Sequence, residues 1–73
     1  MNKYQRLRDV REDRNLSQKD IAKLLNTTQQ QICRYETGQQ MMGIDRYIIL
    51  AKYYNVSLDY LAGIVDSPRK LLD

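Results

Sequence analysis

With 73 residues, 42% of them hydrophobic and 29% charged, the chain is long enough for one small domain and too apolar for a disordered segment. The longest apolar run, Tyr47 to Ala51, is far short of the ~18 residues of a membrane span, and the start MNKYQRLRDV lacks the apolar stretch of a signal peptide, so a cytoplasmic protein with no membrane partner is expected. A single cysteine, Cys33, excludes an internal disulfide, the absence of histidine excludes an ordinary Cys/His zinc site, and the net charge of +3 falls in residues 1–38, which hold 8 Lys/Arg against 5 Asp/Glu. That balance suits an anionic partner, and equally well ordinary solubility.

Tyr4, Leu7, Val10 and Arg11 lie at i, i+3, i+6 and i+7 and predict a first helix over residues 3–14, ended by Asn15. Ser17 is placed to cap a second helix from Gln18, with Asp20 favouring its positive end and Ile21, Ala22, Leu24 and Leu25 as its buried face. Asn26 readily adopts the left-handed conformation that stops a helix, so a turn is expected at Asn26 and Thr27. Thr28 followed by Gln31 matches a capping box and predicts a third helix from Gln29 to Glu36, stopped at Thr37 and Gly38. A helix of barely two turns cannot stand alone in water and has to be held by packing.

After the loop QQMMG, the pattern Ile44, Tyr47, Ile48, Ala51, Tyr54 predicts a fourth helix with those residues inward, closed by Asn55. Ser57 caps a fifth from Leu58 to about Ile64, with Leu58, Leu61 and Ala62 inward, and Ser67 with Pro68 starts a short helical turn in PRKLL. No strand pattern or internal repeat is present. The expected architecture is all-α: a compact five-helix domain over residues 1–66 and a C-terminal tail over 67–73.

The turn joining helices two and three has the length of a helix-turn-helix. Small Ala22 stands where the two helices approach, and apolar Ile21, Leu25, Ile32 and Tyr35 stand where they face the core. Arg11, the run Leu16-Ser17-Gln18, Ala22, the turn at Asn26, and Glu36-Thr37-Gly38, followed by LAKYYNVSLDYLAG, resemble the lambda-repressor-like (Cro/XRE) helix-turn-helix family over about residues 4–63. Within it, TTQQ at the head of helix three is similar to lambdoid phage repressors that read operators with glutamines. Two departures are visible: Asn26 replaces the common glycine, and Met42 stands where a proline often precedes helix four.

The resemblance implies that helix three lies in the DNA major groove with base contacts near its N-terminus. The helical period independently sets Gln30 and Arg34 opposite Ile32, with Gln29 at the exposed end, so these three are the expected base readers. Glutamine pairs bidentately with adenine and arginine with guanine. Thr27, Thr28 and Gln18 are expected to position the protein on phosphates, with Lys19, Lys23 and Gln40 as weaker candidates and Gln31 occupied in the capping box. The bland alternative is a solvated helix start for the glutamines and a surface charge for Arg34; the surrounding constellation favours contact. The resemblance also implies that Arg11 and Glu36 pair between helices one and three, a structural role rather than a catalytic one.

Ile49 and Tyr53 lie one turn apart on the face of helix four assigned to solvent, and Tyr60 and Ile64 repeat this on helix five. They are either scattered exposed apolar residues or one patch, and this patch or the PRKLL tail is expected to form a twofold homodimer. The favoured function is a sequence-specific regulator of transcription, a repressor, on a double-stranded DNA operator. The alternative is a protein-interaction module or antitoxin-type partner on the same fold. With no histidine, no glycine-rich phosphate loop and no nucleophile beside a base, neither catalysis, a cofactor nor a small-molecule substrate is expected.

Overall fold

A computed structural model of the chain describes residues 5–65; Tyr4 and the turn expected at Ser67–Pro68 lie outside the described residues. Five helices follow one another: α1 Gln5–Asp13, α2 Gln18–Leu24, α3 Gln29–Thr37, α4 Ile44–Tyr54 and α5 Leu58–Leu61. This is an all-helical, five-helix domain of lambda-repressor-like helix-turn-helix kind. Helix α3 packs on α1 and α2, and α5 closes onto α1 and α4.

The helices end by one recurring device. Asn15, Asn26 and Asn55 all adopt the left-handed conformation, with φ of 56°, 55° and 58°. After each, two amides turn back onto the orphan carbonyls of the helix just finished: Thr27 N donates to Ala22 O at 2.8 Å and Asn26 N to Lys23 O at 3.2 Å. The same pair of bonds recurs at Leu16 and Asn15 and at Val56 and Asn55. Gly63 does this for α5 at φ 82°, and so stops the helix at Leu61 rather than near Ile64. The starts of α2, α3 and α5 are also local in origin. Ser17 accepts from the Asp20 amide at 3.0 Å while the Asp20 carboxylate accepts from Ser17 N at 2.9 Å, a complete capping box. That backbone donation, with the side-chain bond, holds the exposed Asp20 carboxyl below its usual range.

The core comprises Leu7 and Val10 of α1, Ile21, Ala22 and Leu25 of the α2 region, Ile32 and Tyr35 of α3, Leu50, Ala51 and Tyr54 of α4, and Met42, Val56 and Leu61. Helix α4 is rotated from its expected phase. Leu50 is buried, Tyr47 is half-buried, and Ile44 and Ile48 are 62% and 38% exposed. Apolar residues flank both sides of α4, and Leu50 completes a tighter stripe with Tyr47, Ala51 and Tyr54 than the two isoleucines would. Leu24 is likewise 37% exposed, because Ile21, Ala22 and Leu25 already fill the face of a two-turn helix. Met42, at the position of the family's proline, plugs into the core as the loop enters α4.

Two arginines tie this frame together. Arg6 is buried; its Nη1 donates to Tyr60 O at 2.8 Å and Val65 O at 2.9 Å, with the guanidinium 4.2 Å from the Tyr60 ring centroid. Tyr60 is therefore half-buried under a cation rather than part of an exposed patch. Arg14 donates to Tyr54 O at 2.9 Å and covers the Tyr54 ring.

Burial is the main cause that pushes the Tyr54 phenol up from its ordinary value of 10.0 to about 12. Between those two values the unfolded chain loses its phenolic proton while the folded one keeps it, so stability falls as pH rises through that window. Denaturant titrations should show this alkaline loss in the native sequence and a flatter limb in Tyr54→Phe. Replacing Asn26 with alanine should cost ~1 kcal/mol, and Asn26→Gly should leave stability equal or higher, because only the former forces a Cβ without a compensating amide into the left-handed region.

Candidate nucleic-acid interface

Helix α3 is the element on which the candidate site is built. Its first turn is fixed by Thr28, whose Oγ1 accepts from the Gln31 amide at 3.1 Å. Among the described residues the Gln31 side chain returns no bond to Thr28, so the expected capping box is only half formed and Gln31 is simply half-buried. Ile32 and Tyr35 are buried, and the Tyr35 hydroxyl accepts from Arg46 Nη1 at 2.6 Å, which ties α3 to α4. What remains outward is one continuous face: Gln29, Gln30, Cys33, Arg34 and Thr37 are all exposed. Gln29, Gln30 and Arg34 thus share it, and Cys33 sits among them because a 100° step per residue places it between Gln29 and Thr37.

The C-terminal end of α3 is held by charge. Arg11 Nε donates to Glu36 Oε2 at 2.7 Å and Arg11 Nη2 to Glu36 Oε1 at 3.1 Å, a bidentate pair whose side chains are only 10% and 6% exposed. Arg11 Nη1 donates at 2.8 Å to Leu16 O, in the loop that enters α2. One cation therefore links α1, the α1–α2 loop and α3. The hydrogen bond to Glu36 raises the Arg11 pKa further above its already high value.

Gln18 completes the network. Its Nε2 donates to Glu36 Oε1 at 3.0 Å, so one of its two N–H groups is committed inward. The second N–H and the carbonyl oxygen remain for a ligand, on an amide whose plane is set by a buried carboxylate. Nothing in the spacing of residues 18 and 36 announces this bond in the sequence. Thr27 is half-buried; Thr28, Lys19, Lys23 and Gln40 are exposed. Of the eight Lys/Arg in residues 1–38, Arg6, Arg11 and Arg14 bind carbonyls or Glu36 and Arg8 pairs with Glu12 at 3.2 Å, so among the described residues of that segment Lys19, Lys23 and Arg34 are the cations with neither an ion pair nor a side-chain hydrogen bond.

Glu36→Ala should lower stability by about 3–5 kcal/mol, because the Arg11 guanidinium would stay buried without its counter-charge. The double change Arg11→Met with Glu36→Leu should recover a large part of that loss, as read from urea unfolding followed by circular dichroism.

Comparison with known proteins agrees with this geometry. Residues 7–61 match a family model described as helix-turn-helix. The chain is 33% identical over 64 residues to an uncharacterized HTH-type transcriptional regulator, YobD, of Bacillus subtilis strain 168. That match covers 88% of this chain and 57% of the relative, so the chain spans little more than half the length of the curated protein it resembles. No solved structure matches it. A matched family model over three quarters of the sequence, on a five-helix fold with α2 and α3 packed across a short turn, places the chain in the helix-turn-helix family.

Proposed function

We propose that this chain is a sequence-specific, double-stranded DNA-binding regulator of transcription, a repressor, that lays α3 in the major groove and acts as a homodimer. The observation that carries this reading is the outward face of α3, where two exposed amides at its first turn and an exposed guanidinium one turn on stand on a helix fixed at both ends. Gln29 and Gln30 are the readers of adenine edges and Arg34 of guanine, each worth ~1–3 kcal/mol of discrimination. Gln18, Thr27 and Thr28 meet phosphates, with Lys19, Lys23 and Gln40 beside them. The relative's description as a transcriptional regulator supports the biological role. Occupancy of promoter DNA requires no chemistry beyond binding, so no catalytic group is assigned.

Selection of bound sequences from a random duplex pool tests the reading. A twofold-symmetric sequence with half-sites about 34–36 Å apart, or a multiple of that spacing, should be enriched. Gln29→Ala should then relax the preference at one or two base pairs, whereas Gln18→Ala should weaken binding to every sequence alike. Binding should also fall steeply as salt rises. No enriched sequence, or affinity indifferent to salt, would point instead to a protein partner on this face.

A further inference from the structure

The rotated phase of α4 leaves a face that the core does not use. Ile44, Ile48, Ile49 and Tyr53 are 62%, 38%, 42% and 53% exposed, and between the two isoleucine-bearing flanks run exposed Asp45 and Lys52. Neither of these charged side chains makes an ion pair or hydrogen bond among the described residues, although both lie on a well-formed helix. By the helical period, Ile44 and Ile48 fall on one side of the Asp45–Lys52 ridge, and Ile49 and Tyr53 on the other.

We infer that this face docks on the same face of a second copy of the chain, with the two α4 helices antiparallel and the twofold axis passing between Ile48 and Ile49. The chemistry of α4 is symmetric about that point. Asp45 and Lys52 lie three and a half residues to either side of it, about 5 Å along the helix. A twofold therefore sets Asp45 against the partner's Lys52, and Lys52 against the partner's Asp45. Ile48 meets its own copy on one flank and Ile49 its own copy on the other, while Ile44 and Tyr53 extend the flanks outward. Tyr53 is steadied there by an edge contact to the buried Tyr54 ring, with centroids 5.5 Å apart.

Two apolar flanks with opposite charges reversed about the centre are self-complementary under a twofold, which is what an isologous interface demands. The parallel alternative sets Asp45 on Asp45 and Lys52 on Lys52, so the same charges that favour one arrangement oppose the other. Either common helix-crossing angle keeps groups this near the axis within side-chain reach. The inference deepens the dimeric part of the proposed function and is independent of which bases α3 reads.

Charge reversal tests it by sedimentation over a concentration series, in the native sequence and in variants whose helicity is checked by circular dichroism. Asp45→Lys turns both attractive pairs into repulsive ones, as does Lys52→Asp, and each should weaken dimerisation by roughly tenfold or more. The double reversal Asp45→Lys with Lys52→Asp should restore it to within a few-fold, and Ile64→Glu should have no effect. A dimer indifferent to the single reversals, or not rescued by the double one, overturns this interface and leaves the dimeric reading to another surface. A chain that stays monomeric at every concentration, alone and on DNA, overturns both.

Discussion

The structure depends on one buried ion pair. Helix α3 has nine residues, too few to persist in water alone, yet it is the element that has to hold a fixed face outward. Ile32 and Tyr35 anchor its middle and the Thr28 hydroxyl its start, and the Arg11–Glu36 pair fixes its end relative to the first helix. A domain of this size has roughly 3–5 kcal/mol of stability from its core. Removal of one partner from such a pair costs about as much. A well-packed apolar pair of equal volume could match that stability; what the ionic pair adds is direction. The planar guanidinium fixes the carboxylate, and the carboxylate fixes the Gln18 amide, joining the packing of α1 to a side chain at the start of α2, which the proposed function sets against DNA.

The same arginine chemistry changes what the net charge of +3 means. Arg6 and Arg14 donate to carbonyls 54 and 40 residues away and lie over tyrosine rings, so they serve as cross-braces in a fold with little room for a larger core. The basic excess of the first half is thus largely structural in its contacts, and the cations free to meet phosphates there are few. An interface of this kind gains less from bulk charge and more from placed amides and hydroxyls, which fits the glutamine-rich head of α3.

What could be read from the sequence was what is decided locally. Helix ends were legible because Asn15, Asn26 and Asn55 act through their own backbone, and Ser17, Thr28 and Ser57 cap within three residues. The outward set on α3 was legible because Ile32 and Tyr35 are its only large apolar side chains. Helix α4 was not, since a period of 3.6 cannot choose between two apolar stripes, and only the shared core, where Leu50 lies with Leu7, Ile32 and Tyr35, selects Leu50 over Ile44 and Ile48. Arg6 was illegible for a related reason: a cation on an exposed-looking face becomes buried only when a distant helix terminus supplies carbonyls. Tyr60 goes with it, because its ring is the surface that the Arg6 guanidinium covers.

A helix as short as α3 also limits how much sequence one copy can distinguish. If three side chains each read one base pair, their combined site recurs about once in 64 base pairs of random DNA, against a genome that offers about 10⁶ or more competing positions. A second copy in fixed relation squares that rarity, to about one in 4,000, and adds its phosphate contacts without lengthening any helix. The constraint on the rest of the surface is then to fix the relation between copies, since a loosely held pair gains little from its second reader. In the proposed dimer, a helix that carries more isoleucine than its own core accepts, with charges that prefer one register, would meet that need at no cost to the packing of the monomer.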